Sequence, residues 1–123
     1  MNDGREFTPE EADALIPELT RLLPVLREAR QVVFRAGEQV KRNARRNGGG
    51  APGREFWEAL ATLRRELERL AEAGVILRDP ETGLVDFPSA RDGVRVFLCW
   101  RLGEPRVAFW HGGHSGFAGR RPI

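Results

Sequence analysis

Apolar residues recur at alternating spacings of four and three through the first third of the chain: Leu15, Leu19, Leu22, Leu26, Ala29, Val33, Ala36 and Val40. That is a heptad seam, and it predicts an amphipathic helix. Its start is signalled by Thr8 as cap, Pro9 at the first helical position where no donor is lost, and Glu11 completing a capping box, with Phe7 placed to staple the turn. Pro17 and Pro24 share one heptad position off the seam. The pattern therefore predicts one long helix over 8–46, bent at its prolines, rather than two. A link over 47–53 follows, rich in glycine (Gly48, Gly49, Gly50, Gly53) and carrying Pro52. A second helix over 54–73 is carried by Phe56, Leu60, Leu63, Leu67 and Leu70 and stopped by Gly74. Two heptad helices on a short link fold back as an antiparallel coiled-coil-like hairpin. At 1.5 Å per residue the first helix spans roughly 57 Å and the second roughly 30 Å. The seam from Leu15 to Leu26 thus needs cover from the C-terminal half or from another subunit.

Beyond Gly74 the period changes to that of strands. "VILR" and "LVDF" flank the turn "DPETG", "RDG" marks a second turn, and "VRVFLCWRL" and "RVAFWH" flank "GEP". The expected class is α+β: the helical hairpin followed by a small four-stranded antiparallel meander and an ordered tail over 75–123, all in one domain spanning 1–123. A two-residue turn at Gly103 and Glu104 would set Trp100 opposite Val107, Leu98 opposite Phe109 and Val96 opposite His111. That register leaves Arg95, Phe97, Cys99, Arg101, Ala108 and Trp110 on the second face, apolar enough at its centre for an interface. It also sends Cys99 and His111 to opposite faces.

The 123 residues are 41% hydrophobic and 31% charged, with a formal net charge of +2. No apolar run reaches the roughly 18–20 residues of a membrane span, and no basic segment leads into an apolar one at the start. With the single cysteine, Cys99, this gives the expectation of a cytoplasmic protein with no membrane partner. Charge is uneven: residues 35–54 and 91–123 are net basic, residues 1–34 and 55–90 net acidic.

Candidate chemistry concentrates in the closing segment, "FWHGGHSGFAGRRPI". Gly113, Gly116 and Gly119 lead into Arg120 and Arg121, a composition suited to holding a small anion by backbone N–H groups and guanidinium forks. A ligand site where the tail packs on the sheet would draw on Trp100, Glu104, Trp110, His111, Arg120 and Arg121. His111 and His114 are the metal candidates, but no further ligands follow at zinc-site spacing, and Cys99, Glu104 and Asp86 could join only through the fold. "GGHSG" lacks the helix that a nucleophile elbow requires after Ser115. Cys99 lies in a strand without an activating neighbour in sequence. Glu10 and Glu11 are explained by capping, Asp79 and Asp86 by turns. Lys41, Arg42, Arg45, Arg46 and Arg54 form a basic elbow at the hairpin tip, able to meet nucleic-acid phosphates nonspecifically or simply to complement the helix dipole.

"FTPEEADALIPEL", "DPETGLVDFPSARDGVRVFLCWRLGE" and "FWHGGHSGFAGRRPI" together resemble a family of small bacterial proteins, the domain-of-unknown-function family numbered twenty-two-hundred-three. "LVDFP", "LCWRLGE", "WH" and "GFAGR", in that order, carry the resemblance over essentially the whole chain. It implies no activity, substrate, cofactor or catalytic residue. His114 stands where the resemblance implies an acidic or polar residue, so no two-histidine mechanism is transferred. The expected function is a non-catalytic cytoplasmic oligomer, with a dimer favoured, acting as a binding or protein-interaction module. The alternatives are a small-anion or metal site in the closing segment, and nucleic-acid binding through Arg42, Arg45 and Arg46.

Overall fold

The structure is a computed structural model describing residues 4–47 and 50–123. Its first helix, α1 (Pro9–Ala14), begins with both bonds of the capping box: the Glu11 N–H donates to Thr8 Oγ1 at 3.1 Å and the Thr8 N–H to Glu11 Oε1 at 2.8 Å. The helical path breaks at Leu15 and resumes as α2 (Ile16–Asn47). The segment expected as one helix from residue 8, bent at its prolines, is interrupted here, two residues before Pro17. Pro17 has no N–H to give the Asp13 carbonyl and crowds it, so the break falls where that bond would be. Pro24, by contrast, lies inside α2. The helix α3 (Arg54–Ala73) ends at Gly74, where the Val75 N–H reaches back to the Leu70 carbonyl at 3.0 Å. It packs along α2. Gly48 and Gly49 of the link lie outside the described residues.

Five strands follow: β1 (Ile76–Asp79), β2 (Leu84–Arg91), β3 (Val94–Arg101), β4 (Phe109–His111) and β5 (Arg121–Pro122). They form one antiparallel sheet in the order β1-β2-β3-β4-β5. The fifth strand corrects the expected four: the tail returns along β4, and the Ile123 N–H donates to the Ala108 carbonyl at 2.8 Å. Asp92 and Gly93, both at positive φ, close the β2–β3 hairpin in the two-residue turn whose twist suits paired strands.

The β3–β4 connection is longer than expected. A turn closes over Arg101–Glu104, with the Glu104 N–H on the Arg101 carbonyl at 3.0 Å, and the chain re-enters the sheet only at Phe109. In between, the Val107 N–H donates to Asp13 Oδ1 at 2.7 Å, tying the loop to α1. The resulting pairs are Phe97 with His111, Leu98 with Trp110 and Cys99 with Phe109. This is one residue away from the expected register, and a one-residue slip exchanges the faces of a strand. Trp110 therefore lies on the inner face, and His111 shares the outer face with Cys99.

Leu19, Leu22, Leu23, Leu26 and Leu70 bury themselves against Val85, Phe87, Leu98 and Trp100 of the inner sheet face. The helical seam thus receives its cover from the C-terminal half, one of the two sources left open. Phe7 completes the core, its ring edge-on to Phe87 at 5.2 Å, and its backbone is anchored to Pro88 and Ser89. Farther along the hairpin Phe34 and Trp57 are each 56% exposed. Among the described residues no helix is long and apolar enough to cross a membrane.

Phe87, fully buried at the centre of this contact, is expected to cost about 3–5 kcal/mol when replaced by Ala. Phe34→Ala on the exposed hairpin is expected to cost no more than about 1 kcal/mol. Urea unfolding of the two variants checks the contrast.

Candidate functional site

Three adjacent strands each contribute one residue to the centre of the outer face. Asp86 on β2 pairs with Cys99 on β3, and His111 on β4 lies diagonally beside it, next to Phe109, which faces Cys99. All three side chains are buried, at 1%, 1% and 4% exposure. The tail covers this face. After Gly112 it turns back with the Gly112 N–H on Ser115 Oγ, and a 3-10 turn over Phe117–Gly119 brings Gly119 so close to Ser115 that a Cβ there would stand 2.5 Å from the serine Cβ. Arg120 then fastens it. Its guanidinium donates to both carboxylate oxygens of Glu104, at 3.1 and 2.6 Å, and lies 4.0 Å from the Phe109 ring centre and 4.3 Å from that of Phe117.

Hydrogen bonding around His111 carries chemical information. Nδ1 lies 2.7 Å from the Gly112 carbonyl and Nε2 lies 2.9 Å from Asp86 Oδ2. Both ring nitrogens thus face acceptors, a carbonyl and a carboxylate oxygen, and a neutral imidazole has a single N–H to offer them. Asp86 Oδ2 also accepts from Arg78 Nε at 2.8 Å, whereas Asp86 Oδ1 is buried and meets no partner among the described residues. His111 is held flat against Phe97, ring centres 5.5 Å apart.

Burial pushes the Cys99 thiol up to about 11, and the Asp86 charge adds to the effect, outweighing the Arg120 guanidinium whose Nη1 lies 4.0 Å from Sγ. The thiol is therefore protonated at neutral pH and is no activated nucleophile. Desolvation alone would raise Glu104, but the bonds from Arg120 and from the Arg101 N–H hold its carboxyl below the ordinary range. Arg120 is raised in turn by its bond to Glu104. In front of the three buried residues opens a cavity of about 330 Å³, with Arg78 on one side and Gly113, His114 and Phe117 of the tail on the other.

Residues 5–123, which include every residue of this site, match the family described as an uncharacterized conserved protein, DUF2203. The chain belongs to the DUF2203 family. No curated protein and no solved structure matches it.

Within this DUF2203 chain the six residues expected to form a ligand site do not converge. Trp100 is fully buried in the core, its Nε1 donating to the Glu104 carbonyl at 3.0 Å. Trp110 faces the same side, with Arg91 at 4.5 Å and Arg121 at 5.6 Å from its ring. His111, Glu104 and Arg120 share the outer face, but Arg120 and Glu104 are spent on each other. His114 stands exposed at the cavity rim. Arg42, Arg45 and Arg46 are exposed near the end of α2, where Arg42 bonds Gln39. The register corrects the reading that Cys99 and His111 oppose one another. Nothing in the sequence singled out Arg78, and Asp86 was legible there as a turn residue that could join a metal site only through the fold. The signal for Asp86 was a lone acid inside the apolar run "LVDFP", since a carboxylate in such a strand needs a cation or donor.

Because the folded chain holds the Cys99 proton more tightly than an unfolded thiol near 9.0, that proton favours the fold below pH about 9. The contribution is lost as pH rises through about 11. Urea unfolding across this window should show stability falling with pH in the natural protein, with a shallower fall in Cys99→Ser.

Proposed function

We propose that this DUF2203 protein binds a small anionic molecule, a carboxylate or phosphate, in the outer-face cavity, with Arg78 as the residue that grips it. The observation that carries the reading is how Arg78 is held. Its Nε is anchored on Asp86 Oδ2, while its Nη groups meet no hydrogen-bond acceptor among the described residues, and it borders the cavity. A guanidinium oriented in this way has lost little further freedom to lose on binding, and two parallel N–H groups fit a carboxylate or phosphate edge. The cavity, about 330 Å³, is at the small end of the range for bound metabolites. Arg120 and Arg121 are the expected anion holders, but Arg120 has both Nη groups bonded to Glu104 and Arg121 is turned to the other face, which leaves Arg78, among the described residues, as the one with a free N–H fork at the cavity. Binding without catalysis fits the protonated Cys99 and the engagement of Ser115 Oγ with Gly112. The buried free thiol suits a reducing cytoplasm.

Calorimetry and thermal-shift assays of the purified protein against phosphate and small mono- and dicarboxylates test this. At least one anion should raise the melting temperature, and Arg78→Gln should weaken its binding at least about tenfold, the loss of one charge-assisted pair. Arg45→Gln should leave binding unchanged. Equal binding by Arg78→Gln would sink the idea.

Self-association is a second reading, favoured by an apolar groove of about 170 Å³ where Leu26, Val33, Phe34, Leu63, Leu67 and Leu77 meet. Phe34 and Leu67 are 56% and 41% exposed there. Light scattering at micromolar concentration should give the mass of a dimer, and Phe34→Ser should shift it toward the monomer. A monomer across that range removes this reading.

A further inference from the structure

We propose that Asp86, Cys99 and His111 form a binding site for one divalent cation of borderline softness, with zinc the ion they suit best. Each offers one ligand atom, and the three atoms lie within 4.8 Å of one another. They come from three neighbouring strands, a rigid platform for such a group. Carboxylate, thiolate and imidazole together favour zinc and its neighbours over magnesium or calcium, which prefer sites made of oxygen alone. A tetrahedral zinc with ligands at 2.0–2.3 Å holds its donor atoms roughly 3.3–3.8 Å apart. Side-chain rotations of about an ångström reach this spacing, drawing the wider pairs together and parting the 2.9 Å contact between Nε2 and Oδ2.

Two observations beyond the spacing of the ligand atoms point to an ion. Asp86 is 1% exposed and its Oδ1 meets no donor among the described residues, a costly state for a buried carboxylate oxygen that a cation relieves. His111 also stands as metal-ligating imidazoles stand, with Nδ1 2.7 Å from a backbone carbonyl, that of Gly112, so that the Nδ1–H tautomer leaves Nε2 free as a ligand. The surroundings match. Arg78 Nε holds Asp86 Oδ2, and Arg120 Nη1 stands 4.0 Å from Cys99 Sγ, placed to stabilise a thiolate. On binding, the Cys99 S–H bond breaks, a sulfur–metal bond forms and the proton passes to water, so the carboxylate and thiolate together balance the two charges of the ion. The fourth position opens onto the cavity, leaving room for water or an anion. The proposal goes beyond the anion reading, because these three ligands need no second molecule.

The full chain, reduced and stripped with a chelator, is titrated with Co²⁺ alone and then with Zn²⁺ in a non-coordinating buffer. One Co²⁺ per chain is expected, with a thiolate-to-cobalt charge-transfer band that one equivalent of Zn²⁺ removes. Cys99→Ser should abolish the band, and His111→Gln should weaken zinc binding by about a hundredfold or more. Circular dichroism separates a variant that misfolds from one that has lost a ligand. The natural protein decides the matter on its own: absence of the band overturns the site, as does a band that survives in Cys99→Ser. Since the metal is the only probe, failure here is distinct from failure of the anion screen.

Discussion

The pairing of β4 with β3 is held from both faces of the sheet. On the inside, Trp110 lies beside Leu98 against the helices. On the outside, Phe109 lies opposite Cys99 and supports the Arg120 guanidinium, which Glu104 clamps from the loop between the two strands. Side chains alternate with period two, so this register assigns every residue of β4 at once. One step away, His111 would enter an apolar core and Trp110 would face the tail. Both outcomes cost free energy, the first by desolvating a ring nitrogen without a partner and the second by exposing an indole. The register that avoids both brings imidazole, thiol and carboxylate together.

Once Asp86 is buried, its neighbours are constrained. A carboxylate in the middle of a sheet must be met by cations or donors, and two elements supply them, Arg78 from β1 and His111 from β4. Arg78 keeps part of its side chain in solvent, 44% exposed, while the His111 side chain is only 5% exposed. Such buried polar networks rarely stabilise a fold more than apolar residues of the same volume would. The inner face, built from Val85, Phe87, Leu98 and Trp100, already supplies the burial that holds helices and sheet together. The outer network is therefore not what holds helices and sheet together. The tail adds the closure, with Arg120 acting as its lock.

Much of this architecture is readable along the chain. The capping box at Thr8, the heptad leucines, the terminator at Gly74 and the strand and turn alternation all follow local rules, and the helical hairpin followed by an antiparallel sheet is the result. The seam itself proved too narrow a description: Leu23, off the heptad positions, is 1% exposed because α2 packs on a sheet as well as on α3, and a sheet buries a wider stripe than one partner helix does. The break at Leu15 was decided by competition between a continuous hydrophobic phase and the donor missing at Pro17, and periodicity alone does not weigh those terms. The candidate site was least legible for a related reason. Cys99 and His111 share a face only through a loop whose length is set by contacts remote in sequence, the Val107 N–H on Asp13 and the Glu104 clamp on Arg120. The arginines of the tail looked like hooks for an anion because their partners lie elsewhere in the chain.

Charge explains how one cavity would suit both the proposed anion and the proposed cation. Its buried wall carries the Asp86 carboxylate, and its edge carries the fork of Arg78, bonded to that carboxylate through Nε alone. A cation on the wall would face the oxygen that lacks a partner among the described residues, whereas an anion at the edge would face the partly exposed guanidinium end. Neither would displace the Arg78–Asp86 bond, so each would lower the electrostatic cost of the other: the ion's two charges would draw the anion in, and the anion would screen the ion from the arginine. Had Arg78 been paired through its Nη groups, as Arg120 is with Glu104, the edge would present no free N–H fork. The single-point bond through Nε keeps the open carboxylate oxygen and the exposed guanidinium end apart.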